Sequence, residues 1–231
     1  MLFRPNISTS TVAKIIKEFW SEHKDSTTKL LPDDCWGYAD SYCPYIAGGS
    51  CVASLLGQES SRDVDIYAAH PDVITAFITF LQNREGIQDF GLIPTTSASY
   101  GCHEFTLGKE TLQVIKKPYR LKDNGMYQAD VDLLFDYIDL GVCKVAYCPL
   151  TERFIFDNTE IFYPNKEFLG QFLLKKPITY TVTTNKESTF CRLKKYQCRG
   201  FTLTEEDSVD TLSIWASLQE LKKLKAEGMV S

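Results

Sequence analysis

Asp63 and Asp65 flank a single valine in an apolar run that continues as Ile66-Tyr67. Side chains of a strand alternate between its two faces, so both carboxylates fall on one face while Val64 and Ile66 take the other. Like charges that close are costly unless a cation sits between them, and paired carboxylates commonly hold Mg²⁺. Ahead of them stand Gly48, Gly49 and Ser50. Glycines let a backbone approach a phosphate closely, amides at a helix start favour an anion, and the Ser50 hydroxyl adds a hydrogen bond for a terminal phosphate. The combined chemistry centres on a phosphate: divalent ions on the carboxylates would activate an attacking hydroxyl and stabilise a leaving pyrophosphate. The plain alternative is a glycine turn followed by a surface strand. It leaves two aspartates on one strand face without a reason, and Asp is disfavoured in strands.

To act together these residues need a strand, a turn, a short helix and a second strand around one cleft, and the pattern supplies them. Residues 45–48 read as a short strand. Val52, Leu55 and Leu56 make one apolar face of a short helix, with Ser50 near its N-terminus and Gly57 as a left-handed stop. Residues 64–67 read as the next strand. Upstream, Val12, Ile15, Ile16 and Phe19 recur at helical spacing behind Ser8 and Thr9, which predicts a helix over 9–22. Downstream, His70-Pro71-Asp72 opens a helix whose Val73, Ile74, Phe77, Ile78 and Leu81 form a core stripe, ended by Gly86. Residues 102–107 and 111–116 flank Gly108-Lys109-Glu110 as a hairpin, and 142–147 and 153–156 read as another strand pair, with a helix over 129–137 between them. Past residue 160 the character changes. Phe168, Leu169, Phe172 and Leu173 predict a helix, "STFCRLKKYQCRGF" a basic helix ended by Gly200, and 204–225 a long amphipathic helix. The expected fold class is α+β: a mixed-sheet core over 1–160, then a mainly helical region over 161–231.

The 231 residues are 44% hydrophobic, enough to bury a core of one larger or two small domains. No apolar run approaches the length of a membrane span, and the opening "MLFRPNISTS" lacks the apolar stretch of a secretory signal, so a cytoplasmic protein without membrane contact is expected. The eight cysteines include no Cys-x-x-Cys pair, which points to free thiols rather than a structural zinc site. A net charge of −5 argues against non-specific DNA binding, which depends on neutralising phosphates. His23, His70 and His103 are widely separated, and no pairing among them favours zinc or nucleophilic chemistry.

"AGGS" followed after twelve residues by "DVDIY" resembles the signature of the nucleotidyltransferase superfamily that includes DNA polymerase beta, poly(A) and CCA-adding enzymes, and small antibiotic and protein nucleotidylyl transferases. The resemblance covers about residues 40–160. "KKYQCRGF" is similar to a run found in viral and ankyrin-linked members. The resemblance implies a polymerase-beta-like core, with Asp63 and Asp65 as metal ligands and catalytic residues, and Gly48, Gly49, Ser50 and Arg62 around the nucleotide. It implies Mg²⁺, or Mn²⁺ in its place, and an NTP whose NMP passes to a hydroxyl of RNA (tRNA among the candidates), of a protein or of a small molecule.

The superfamily also places a further acidic residue on a neighbouring strand. In "TLQVI" that position is Gln113, which neither binds Mg²⁺ well nor serves as a base. Asp139, beside a predicted strand, is the first candidate for the missing carboxylate, ahead of Asp136, Asp132 and Asp130. Its alternative is a solvated acid at a helix end. Positive charge for a triphosphate is sought in Arg192, Lys194, Lys195 and Arg199. Lys195 and Arg199, four apart, would share a helix face, and the competing reading is a solvated basic face. Tyr196 either stacks on a base or belongs to the core. A reduced member of the superfamily, binding a nucleotide or a partner protein without transfer, is the alternative to an enzyme.

Overall fold

The structure is a computed structural model that describes residues 7–29, 42–58, 63–93, 101–116, 138–156, 159–162, 178, 180 and 186–203. The helices expected over 129–137, around Phe168 and over 204–225 lie outside these residues, as do Arg62, Asp130, Asp132 and Asp136. The chain divides into two compact units, the first Met1–Ile138 with Cys143–Gly170 and the second Asp139–Val142 with Gln171–Ser231.

The described part of the first unit contains helices α1 (Ile7–Thr28), α2 (Gly49–Leu55) and α3 (Pro71–Gln82). Its strands are β1 (Tyr45–Ala47), β2 (Asp63–Tyr67), β3 (Ile87–Ile93), β4 (Cys102–Leu107), β5 (Glu110–Ile115), β6 (Val145–Cys148), β7 (Arg153–Phe156) and β8 (Thr159–Phe162). The strands form one sheet in the order β3-β4-β5-β2-β1-β6-β7-β8. Only β2 and β5 run parallel among these pairs, so the sheet is mixed as expected. β2 sits inside the sheet, and its alternation is clean: Val64 and Ile66 are buried, while Asp63 is exposed and Asp65 half-buried. Leu112 and Val114 stand opposite Val64 and Ile66 and are equally buried.

α1 and α3 pack on each other and on the sheet. Phe19 meets Phe77 edge-on with ring centroids 5.0 Å apart, and His23 stacks on Phe19. His70 is the N-cap of α3, its Nδ1 accepting from Asp72 N at 3.3 Å, and Pro71 follows at the first helical position. β3 and β8 were not anticipated. β3 is an edge strand whose apolar residues do not alternate, because it bulges between Asp89 and Gly91 and leaves Phe90 and Leu92 exposed. Asp89 holds the bulge: Oδ1 accepts from Gly91 N at 2.7 Å and pairs with His103 Nε2 at 2.6 Å, and Oδ2 accepts from Gln82 Nε2 at 2.8 Å. Burial pushes this carboxyl up, but the bonds from Gln82, Gly91 and His103 outweigh it and hold it below its ordinary range.

In the second unit α4 (Lys186–Gln197) carries buried Leu193 and Tyr196, and Gly200 takes a φ of 94° beyond its end. Bridges join Leu140 to Tyr180 and Ile178 to Leu203.

Candidate active site

β1 ends at Ala47, directly opposite Asp65 on β2, and the chain then turns at Gly48 into α2. Gly48 has φ 82° and ψ −144°, a region that side-chain-bearing residues scarcely occupy. Its N–H donates to Val145 O at 2.9 Å, and its carbonyl accepts from Cys51 N at 3.1 Å and Val52 N at 3.3 Å. A Cβ placed on Gly48 would stand 3.6 Å from Asp65 Oδ2, so the glycine turn and the carboxylate adjoin. The glycine that needs its freedom is therefore Gly48, whereas Gly49 opens α2 without a positive φ. Two expectations change here. α2 has seven residues, too short to add much of a helix dipole. Ser50 is 1% exposed, and apart from the weak Cys51 thiol its hydroxyl has no hydrogen-bond partner among the described residues, so it is enclosed rather than presented to solvent.

Asp63 and Asp65 share the face that the alternation required. Burial, and then the charge of Asp65, push the Cys51 thiol up, and burial with Glu104 and Asp65 does the same to Cys102. Both shifts favour the protonated thiol, the form that is not nucleophilic. No cysteine among the described residues is in a disulfide.

The position opposite Asp65 on β5 is Gln113. Opposite Gln113 on β4 stands Glu104, and Gln113 Nε2 donates to Glu104 Oε2 at 3.1 Å. Residues directly opposite in a sheet share a face, so Asp65, Gln113 and Glu104 form a row across β2, β5 and β4. Glu104 was missed, although a signal existed. Leu107 pairs with Glu110, so the hairpin loop is Gly108-Lys109 with Glu110 already in the strand, and counting back from it sets Glu104 against Gln113.

Asp139 belongs to the second unit. Its Oδ2 accepts from Thr189 Oγ1 at 2.8 Å and from Arg192 Nη2 at 2.5 Å. This carboxylate is thus joined to the basic segment at Arg192. Lys195 is exposed on α4, and Arg199 lies just past the helix end at Gln197. The Arg199 guanidinium stacks over the Tyr196 ring at 5.2 Å, and its Nη1 is buried with no hydrogen-bond partner among the described residues. Tyr196 is 2% exposed and meets Phe201, which makes it a core residue.

Among the described residues no three His, Cys, Asp or Glu side chains converge as a ready-made cation site. A divalent ion would rest on Asp63 and Asp65 together with substrate oxygens and water. That donor set suits Mg²⁺, which keeps several waters and needs one or two carboxylates.

No family model matches the chain, and no curated protein matches it in sequence. Solved structures match in fold. A CCA-adding enzyme solved with ATP aligns with a TM-score of 0.51 at 14% identity, over 92% of this chain and 44% of that one. The Thermotoga maritima CCA-adding enzyme, solved with tRNA, aligns with a TM-score of 0.51 at 12% identity, over 90% of this chain and 42% of that one. The chain spans less than half the length of either. At these identities the likeness establishes the fold alone: an α+β fold with a mixed sheet, similar to that of the CCA-adding enzymes.

Proposed function

We propose that the chain is a metal-dependent nucleotidyltransferase that moves an NMP from an NTP to a hydroxyl acceptor. The observation that carries this reading is the junction of the Gly48 turn with the Asp63–Asp65 face, where a Cβ on Gly48 would approach Asp65 Oδ2 to 3.6 Å. A glycine backbone open to a phosphate, beside two carboxylates on one strand face, lets an NTP lie with its phosphates between them. The acceptor oxygen then forms a bond to the α-phosphorus, the bond from that phosphorus to the bridging oxygen breaks, and pyrophosphate leaves with the electron pair. The acceptor's proton passes to solvent or to a carboxylate of the Asp63–Asp65 pair. A divalent cation bound there supplies charge to activate the hydroxyl and stabilise the pyrophosphate. Asp63 and Asp65 hold that charge in place, and the glycine turn keeps side chains out of the phosphate path.

RNA is the acceptor class we favour over protein or a small molecule, because two of the structural neighbours are CCA-adding enzymes in complex with ATP and with tRNA. Lys195, Arg199 and Arg62 remain our candidates for neutralising the triphosphate, and a cytoplasmic setting is in keeping with the free thiols. A second reading, a nucleotide-binding module without transfer, is favoured by one observation: an amide, Gln113, stands opposite Asp65.

The experiment incubates the purified chain, Mg²⁺ and each α-labelled NTP with total RNA and with lysate protein. Label is expected in RNA, and Asp63→Asn and Asp65→Asn should each abolish it while remaining folded. NTP binding without transfer to any fraction would favour the second reading. Transfer undiminished in the double variant would overturn the role of the aspartates.

A further inference from the structure

The row Asp65, Gln113, Glu104 contains a chemical constraint on its middle member. A carboxylate only accepts hydrogen bonds, so the Gln113 amide must turn its NH₂ to Glu104, as the 3.1 Å contact from Nε2 to Oε2 records. Nitrogen and oxygen of an amide point apart. With Nε2 committed to Glu104 on β4, Oε1 is left for another partner, and on the side away from β4 lies β2, which carries Asp65 in register with Gln113. Cys102, on the same face of β4, lies within the field of both Glu104 and Asp65, so the two carboxylates flank one neighbourhood.

We propose that Glu104 is a positioning residue that locks the Gln113 amide with its carbonyl oxygen facing the Asp63–Asp65 pair, so that Gln113 serves as a neutral oxygen ligand for a divalent cation. The inference rests on the function proposed above and adds two residues to it. A neutral oxygen supplies coordination without a third negative charge, and the acid behind it selects which end of the amide is presented. Without Glu104 the amide is free to turn its NH₂, a donor that repels a cation, towards Asp65. Gln113 alone is a poor ligand, as its residue type implies, and the hydrogen bond from Glu104 is what gives it an orientation.

The test is Mn²⁺ binding to the full chain, read by electron paramagnetic resonance without nucleotide, in a double-mutant cycle of Glu104→Gln and Gln113→Leu. Thermal unfolding confirms that each variant is folded. Glu104→Gln keeps size and packing but offers the amide either end. It is expected to weaken Mn²⁺ on the order of tenfold, the usual scale for a group that orients a ligand. Gln113→Leu should weaken it at least as much, and Glu104→Gln should then add nothing. If Glu104→Gln weakens Mn²⁺ equally in both backgrounds, Glu104 acts through its charge and positioning is overturned. Unchanged affinity in both single variants also overturns it. Asp65→Asn separates the two readings: if it abolishes binding while the Glu104 and Gln113 variants do not, the metal site stands and only this inference fails. A wild-type chain that binds no Mn²⁺ without nucleotide overturns this inference, whereas the function is tested separately by transfer from an NTP.

Discussion

At the scale of single residues the proposed site rests on backbone freedom at one glycine and on two aspartates that share a strand face. Gly48 occupies φ 82° and ψ −144°, where any side chain costs about 1–3 kcal/mol. Gly48→Ala is therefore expected to lose stability in that range in denaturant unfolding, and to weaken NTP binding, because the new methyl would face Asp65 Oδ2. Gly49→Ala, at a helical position without a positive φ, should stay within about 0.5 kcal/mol of the wild type. Equal losses in the two variants would show that the turn is not the source of strain. That Asp63 and Asp65 share one strand face was legible from type and spacing alone, since period two is a property of any strand. Glu104 was not. Its meaning depends on Gln113, and the meaning of Gln113 depends on Asp65, forty-eight positions upstream by subtraction of their numbers.

At the scale of elements, α3 follows β2 directly and is pinned at its start by a buried histidine. Burial lowers the His70 pKa from 6.5, and the charge of Asp72 opposes that only in part. The sign follows from proton binding: between the folded and unfolded values the unfolded chain binds more protons. Stability is therefore full above pH 6.5 and falls as the pH drops from there to the folded-state value. Protonation at Nδ1 would also remove the acceptor that caps Asp72 N. Melting temperatures of the wild type should fall between pH 7.5 and 5.5 by more than those of His70→Asn, which keeps a capping oxygen and does not titrate. A parallel fall in both proteins would assign the pH dependence to other groups. The elements around the site were readable because each has its own punctuation: Gly48 at a turn, Gly57 and Gly86 with positive φ, Pro71 at a helix start. β3 had none. An edge strand with a bulge shows neither alternation nor a continuous apolar run, and its order comes from Gln82, His103 and Gly91 gathered around Asp89.

At the scale of the whole molecule, residues 139–142 interrupt the first unit and belong to the second. Asp139, 8% exposed in its side chain, ties that segment to α4 through Thr189 and Arg192, whose own side chain is 41% exposed. A hydrogen-bonded charge of this kind is worth about 1.5–3 kcal/mol, nearer the low end where one partner reaches water. Asp139→Asn is expected to lower stability on that scale and to leave Mn²⁺ affinity unchanged. A large loss of Mn²⁺ affinity with stability retained would instead return Asp139 to the metal site. The amino-acid sequence by itself determined the chemistry on offer, two carboxylates on a strand face behind a glycine turn, along with the α+β class and most local elements. These follow from periodicity and turn stereochemistry, which act over a few residues. Tertiary structure alone decided that β5 lies parallel beside β2, which sets Gln113 against Asp65 and brings Glu104 into the row. It also decided that Asp139 pairs with Arg192. Strand neighbours and buried ion pairs join residues distant in the chain, and nothing local to either partner encodes the other.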